Sequence, residues 1–161
     1  MKLLFSFLAG LFLIFQTSDL EALRKSYSKA NLSNDNARNF IALAEKKSSS
    51  DPVISAYKSA SKILEAKVTT EKNKRKSFVK SGATGLENTI ASNPNNAELR
   101  VIRMSVQENL PKIVGYSKNL KEDKDFLLNN YSKQNQDLKN YIKQFAEQSK
   151  TMTATEKASF K

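Results

Sequence analysis

The sequence predicts an all-α protein, either a helical bundle or a short array of antiparallel helical hairpins with about six or seven helices. Residues that break helices are scarce, with three Pro and four Gly in a chain of 161 residues. Apolar residues recur at three- and four-residue spacing along most of the chain. No stretch alternates apolar and polar residues for long enough to indicate a strand. The chain length fits one domain, which we place at residues 19–150.

The first eighteen residues have the pattern of a secretory signal peptide. Lys2 precedes a largely apolar run from Leu3 to Phe15, and polar residues follow. This run is shorter than the roughly 20 residues that a membrane-spanning helix needs, which disfavours a transmembrane anchor. We therefore expect residues 1–18 to be cleaved and the mature protein to be exported, either to the periplasm or as a secreted protein.

Three helices are predicted in the first part of the mature chain. The first covers residues 19–30, and the second begins near residues 33–35 and ends before a run of serines. The third has the clearest start, because Asp51 is a good N-cap and Pro52 suits the first helical position, where its missing N–H costs nothing. The apolar positions of the third helix are Val53, Ala56, Tyr57, Ala60, Ile63 and Leu64.

Four more helices are predicted in the second part of the chain. The first of these contains Gly82 and Gly85, which indicate either a tight helix crossing or a break. Asn96 caps the next helix, and Pro111 ends or kinks it. The last two helices are either separate or continuous. The four predicted ranges are 70–92, 97–110, 120–131 and 135–148, and residues 151–161 are expected to form a flexible C-terminal tail.

The composition excludes several classes of function. The chain has no Cys and no His, which removes thiolate catalysis, the most common metal ligand and the most common general base. Carboxylate pairs such as Asp123 and Asp125 are near neighbours on an expected, exposed helix start, where capping explains them better than catalysis. We therefore predict a protein that is not an enzyme and needs no cofactor or metal.

The net charge of +11 arises from 27 basic and 16 acidic residues. Most of the basic residues are Lys and they are spread along the chain, which makes nucleic acid an unlikely partner and indicates a diffuse basic surface. The strongest basic run lies between residues 71 and 80. It is either a solvated helix start or a surface for anionic lipid, lipopolysaccharide or an acidic protein. Its candidate residues are Lys72, Lys74, Arg75, Lys76 and Lys80.

A polar stripe follows one face of the fifth predicted helix. Asn96, Arg100, Arg103 and Gln107 are spaced so that they share this face. One interpretation is that they bind a carboxylate or phosphate of a partner. A second interpretation is a solvated outer face on which Arg100 pairs with Glu98 or with an acid of a neighbouring helix. A third is a buried arginine network that fixes the angle of a hairpin.

Two resemblances accompany these patterns. The segment GLENTIASNPNNAELRVI, with Leu86, Pro94 and Leu99, resembles the join between two tetratricopeptide-like repeats. The signal peptide followed by AYKSA, NAELRVIRMSVQENLPKIVGY and EDKDFL resembles a group of short, exported helical proteins of Bacteroidota. The first resemblance implies helical hairpins, and the second implies a location in the cell envelope.

Our leading functional hypothesis is a non-enzymatic scaffold or adaptor whose concave helical face binds another envelope protein. The alternative is a basic, envelope-associated protein that binds acidic polymer or anionic lipid through its Lys-rich surface. The salt dependence of binding distinguishes the two, because contacts between exposed charges weaken as ionic strength rises.

Overall fold

The computed structural model describes residues 20–48 and 50–161. Within these residues the chain forms eight α-helices and no strand, which confirms the all-α prediction. The described part of α1 covers residues 20–27. The other helices are α2 (Asn34–Glu45), α3 (Pro52–Val68), α4 (Arg75–Ser92), α5 (Ala97–Asn109), α6 (Leu120–Asn130), α7 (Gln136–Gln148) and α8 (Ala154–Ala158). The predicted signal peptide lies outside the described residues.

Several helix starts follow from the predicted caps. The Asp51 carboxylate accepts a hydrogen bond from the Val53 N–H at 2.7 Å, and Pro52 is the first residue of α3. The Asn96 side chain accepts from the N–H groups of Glu98 and Leu99, which satisfies two donors at the start of α5. These short polar side chains therefore set the ends of two neighbouring helices.

One predicted boundary differs from the structure, and one alternative left open by the sequence is decided. Residues 72–74 form a 3-10 turn, so α4 begins at Arg75 instead of near residue 70. A second 3-10 turn at Tyr131–Lys133 separates α6 from α7, and Asn135 then caps α7 by accepting from the Leu138 N–H. The last two predicted helices are therefore separate.

Helices α3 and α4 form an antiparallel hairpin with a close crossing. Lys62 lies over the Phe78 ring near the connection, whereas Ser59, earlier on α3, faces Gly82, later on α4. A Cβ atom on Gly82 would stand 2.5 Å from the Ser59 carbonyl oxygen, so only glycine fits there. The two predicted alternatives for Gly82 and Gly85 are thereby resolved: they mark a crossing, and α4 continues through both.

Helix α5 lies between two hydrophobic clusters. Leu99, Ile102 and Val106 pack into a cluster with α1, α2, α3 and α4, at whose centre the rings of Tyr27, Phe40 and Tyr57 meet. The opposite side contributes to a second cluster with α6, α7 and the C-terminal residues; its α5 members are Ala97, Val101 and Met104. Because both sides of α5 are covered, four of its polar residues, Glu98, Arg100, Arg103 and Gln107, are also buried.

The C-terminal residues differ from the predicted flexible tail. Thr153 and Glu156 form a capping box at the start of α8, in which each side chain accepts a hydrogen bond from the other residue's N–H. Phe160 is buried and its ring meets that of Tyr131 edge to face at 5.1 Å. The prediction overlooked this capping sequence and the apolar Met152 and Phe160 on either side of it, which together attach the segment to the second cluster.

Candidate functional site

The polar stripe predicted on the fifth helix lies inside the protein. Asn96 caps α5, and the side chains of Arg100, Arg103 and Gln107 are buried between α5 and its neighbours. The amide of Gln107 and residue Asn119, before α6, exchange two hydrogen bonds of 3.3 Å. Every stripe residue therefore has a partner within the chain, and none presents its polar groups as an open binding face.

The two arginines converge on Asp123 of α6. Arg103 donates from Nε and Nη2 to the two Asp123 oxygens at 2.8 and 2.6 Å, which is a bidentate pairing. Arg100 donates from Nη1 to Asp123 at 3.1 Å and to Glu122 at 2.6 Å. Arg103 also reaches Glu87 of α4 at 2.7 Å. The network thus connects α4, α5 and α6 through two positive and three negative side chains.

Burial raises the pKa of the Asp123 carboxyl, and the charges of Arg103 and Arg100 oppose that change. Glu122 has the opposite shift, because hydrogen bonds from Asn119 and then Arg100 lower its pKa. The geometry corresponds to the third interpretation of the stripe, a buried network that fixes a helix angle. The prediction that Asp123 occupies an exposed helix start is wrong, since its side chain is fully enclosed.

Of the two partners predicted for Arg100, Glu98 or an acid of a neighbouring helix, the structure shows the second. Glu98 points to the other side of α5, where Arg24 of α1 donates to its two oxygens at 2.8 and 2.6 Å. The hydroxyl of Tyr57 donates to the same carboxylate at 2.9 Å. The hydrogen bond to Glu98 raises the pKa of Arg24, which therefore stays charged. This second buried ion pair joins α1 and α3 to α5.

Burial also makes three tyrosines, Tyr27, Tyr57 and Tyr141, poor nucleophiles or bases. It is the main cause that raises the pKa of Tyr57 and of Tyr141, and it raises the pKa of Tyr27 to about 12. All three hydroxyls consequently remain protonated near neutral pH. Their environment suits helix packing better than acid–base chemistry.

The predicted basic residues lie on the surface. Lys72, Lys74, Arg75, Lys76 and Lys80 are all exposed, around the 3-10 turn and the first turns of α4. Within this group Lys74 pairs with Glu71, and Arg75 donates to the Thr69 carbonyl oxygen at 3.3 Å. These contacts are local and leave the group accessible. We call these five residues the basic run.

An exposed apolar loop was not identified from the sequence. Residues 110–115 follow α5, and Pro111 and Gly115 enclose a single 3-10 turn. Ile113 is 95% exposed and Val114 is 40% exposed. The signal in the sequence is a pair of β-branched apolar residues inside a Pro–Gly turn, where polar residues are usual. Lys112 stands next to them, so the loop is both apolar and basic.

A groove joins the basic run to this loop. It has a volume of about 450 Å³ and lies between α3, α4 and the C-terminal end of α5. Arg75 lines it on one side and Val114 on another, although 39 residues separate them in the sequence. We call it the α3–α5 groove. A larger, mixed-polarity groove of about 1160 Å³ lies between α1 and α7 and shares no lining residue with it.

Other kinds of site find little support. Among residues 20–48 and 50–161, no group of acidic side chains is arranged to hold a metal ion. Within the same residues no helix is long and apolar enough to cross a membrane. Comparison with known proteins gave no match to any family model, curated protein or solved structure.

Proposed function

We propose that the chain is an exported, non-enzymatic helical protein of the cell envelope that binds anionic lipid surfaces. The face that would bind consists of the basic run and the apolar loop. The observation that carries this proposal is that Arg75 of the basic run and Val114 of the apolar loop line one groove, which brings a cation and a partly exposed aliphatic side chain together. An anionic membrane offers both complementary features, phosphate groups and hydrocarbon.

The magnitudes favour a reversible association. Each Lys or Arg near an anionic membrane contributes about 1 kcal/mol, so the five residues of the basic run supply a useful attraction. Ile113, which is 95% exposed, would gain about 1.5–3 kcal/mol if it were fully buried in hydrocarbon. The export that brings the protein to such a membrane is a prediction from residues 1–18 and from the resemblance to exported Bacteroidota proteins.

The first experiment is sedimentation of the mature chain, residues 19–161, with vesicles of phosphatidylcholine alone or mixed equally with phosphatidylglycerol. We expect binding to the anionic vesicles that declines as salt rises, because screening shortens the range of the charges from about 30 Å at 0.01 M to about 3 Å at 1 M. Ile113→Ser should reduce binding about tenfold or more, through the lost apolar contact.

The matched control removes the same charge elsewhere. Lys72→Gln with Lys76→Gln should weaken binding to anionic vesicles more than Lys25→Gln with Lys143→Gln, which lie in the α1–α7 groove. Equal losses from the two pairs would indicate attraction by net charge alone. Equal binding to neutral and anionic vesicles, or full binding by Ile113→Ser, would contradict the proposal.

The scaffold or adaptor hypothesis is the second candidate. The polar stripe no longer supplies its surface, but the α1–α7 groove provides another. Charged residues of both signs line this groove, including Arg24, Lys143, Asp137 and Glu147, and a polar protein segment would find partners there. A crosslinked partner from envelope extract that survives high salt, and is lost on Lys25→Gln with Lys143→Gln, would favour this function.

A further inference from the structure

The floor of the α3–α5 groove is aliphatic. Ile63 and Leu64 of α3, Val79 of α4 and Val106 of α5 line it, and Val114 closes one side. Its volume of about 450 Å³ falls within the roughly 300–1,000 Å³ of small-molecule sites. The groove is therefore large enough for a ligand of low molecular weight and has few polar groups to bind a sugar or a nucleotide.

The edge of the groove is positively charged. Lys67 at the C-terminal end of α3 and Arg75 at the start of α4 line it, and both are exposed. Each donates one hydrogen bond to a backbone carbonyl, Lys67 to Asn31 at 3.1 Å and Arg75 to Thr69 at 3.3 Å, and neither is paired with a carboxylate of any described residue. No carboxylate lines the groove in the described part of the chain, so two cations face an aliphatic floor without a counter-ion there.

We infer that the α3–α5 groove binds a single-chain anionic amphiphile, a fatty acid, with its alkyl chain along the floor. Its carboxylate then lies against Lys67 and Arg75. Their positive charges attract it, and their long side chains can reach it. The apolar floor accounts for the chain, and the pair of cations accounts for the head group. A neutral alcohol would lack the second contact, and an alkyl ammonium would be repelled.

This inference rests on the proposed function and makes it more specific, because it assigns to one lipid chain a site separate from the membrane surface. The two are separable by experiment, since a fatty acid can be offered as a monomer below its micelle concentration, with no vesicle present. Vesicle binding depends on the whole face, whereas monomer binding depends on the groove.

The test is calorimetric titration of the full chain with monomeric dodecanoate. We expect saturable binding with one molecule per protein. Decanoate, shorter by two methylenes, should bind about 15-fold more weakly, from a factor of about four for each buried methylene. Dodecanol should bind at least about tenfold more weakly than dodecanoate, since the loss of a charge-assisted contact costs about that factor.

The variants separate the groove from the general charge. Lys67→Gln with Arg75→Gln should reduce dodecanoate affinity about tenfold or more. Lys46→Gln with Lys118→Gln removes equal charge from exposed positions outside both the groove lining and the basic run, and should leave affinity within about twofold. Ala66→Phe places a ring on a half-buried lining position and should block binding, with unchanged helical circular dichroism and melting temperature as evidence of folding.

Three results would overturn the inference. The first is equal affinity for dodecanoate, dodecanol and dodecyltrimethylammonium, and the second is an equal loss of dodecanoate affinity in the groove double variant and in its control double variant. The third is unchanged dodecanoate binding by a folded Ala66→Phe variant. Anionic vesicle binding without dodecanoate binding would also overturn it while leaving the proposed function in place. Dodecanoate binding without vesicle binding would instead refute the membrane proposal and identify the groove as a carrier site.

Discussion

Asp123 shows how one buried side chain can hold several helices. Its carboxylate is enclosed, and its charge is balanced by guanidinium groups from two positions on α5. Taking charges out of water is costly, so such a pair is weak evidence for high stability. Removing one partner destabilises the fold strongly, because an uncompensated charge then stays buried. The consequence is that each member of the network depends on the others.

We expect Arg103→Met to lower the free energy of unfolding by about 3–5 kcal/mol, because it leaves Asp123 without its bidentate partner. Urea unfolding at neutral pH would measure the change. Arg38→Met is the matched control, since the Arg38–Asp35 pair is exposed and should contribute at most about 1 kcal/mol.

The double variant Arg103→Met with Asp123→Leu should recover much of the loss, as both charges are then absent. A loss below about 1 kcal/mol for Arg103→Met, together with the loss of a binding partner, would contradict the structural role and support the predicted binding role.

The sequence identified the arginine stripe but not its partners. Spacing on a helix places Arg100 and Arg103 on one face, because that relation is local. Asp123 lies 20 residues from Arg103, and Glu87 lies 16 residues away on the other side. Which acids meet the stripe depends on how α4 and α6 pack against α5, and this is a tertiary property. The sequence left Arg100 with either Glu98 or an acid of a neighbouring helix, and the choice between them depended on that packing.

At the scale of whole helices, the α3–α4 crossing depends on the absence of a side chain at one position. Gly82→Ala should destabilise the protein by about 1–3 kcal/mol despite the higher helix propensity of Ala, because its Cβ would meet the Ser59 carbonyl oxygen, which is backbone and cannot rotate away. Thermal and urea unfolding would both report the loss.

Gly85→Ala is the internal comparison for that substitution. Its Cβ would meet the Ser59 hydroxyl at 2.7 Å, and a side chain can turn aside at the cost of its own hydrogen bond to Ser55. The gain in helix propensity of about 1 kcal/mol opposes that cost, so the net change should be close to zero. If both variants lost equal stability, the crossing would not be the cause.

The predicted elements were most accurate where a local signal exists. Asp51 with Pro52 and Asn96 are caps that act within a few residues, and the corresponding helices start as predicted. The start of α4 has no side-chain cap, and its boundary was misplaced by about one turn. The C-terminal helix did have a signal, the capping box, but at five residues it was too short for apolar periodicity to indicate it.

For the molecule as a whole, the buried tyrosines predict a loss of stability at alkaline pH. Tyr27 has a pKa of about 12 in the fold, whereas an unfolded tyrosine has about 10. The unfolded chain therefore releases its proton first as pH rises. The stabilisation is complete below about pH 10 and declines by about 1.4 kcal/mol per pH unit between about 10 and 12.

Urea unfolding of the wild type and of Tyr27→Phe, from neutral pH to about 12, measures this contribution. Subtracting the free energy of unfolding of Tyr27→Phe from that of the wild type removes the effect of lysines, which titrate in the same pH range. We expect the wild-type free energy of unfolding to fall more steeply above pH 10. Parallel curves would mean that the Tyr27 hydroxyl titrates equally in the folded and unfolded chain.

The fold class and the basic run could be predicted from the sequence, whereas the apolar loop and the groove beside the run could not. Periodicity and the scarcity of Gly and Pro are properties of each helix separately, and they determine that the protein is helical. The α3–α5 groove joins Lys67, Arg75 and Val114 from three segments. Arg75 belongs to the predicted basic run, but its proximity to Lys67 and Val114 exists only after the helices have packed.

The burial of Phe160 has a consequence for protease sensitivity. Its ring packs in the second cluster and meets that of Tyr131, although it stands outside the last helix. A protease needs an accessible, extended backbone, so cleavage in the segment after α7 requires that segment to detach from the cluster first. Limited proteolysis should therefore spare these residues for as long as the second cluster stays intact, whereas a flexible tail would be removed early.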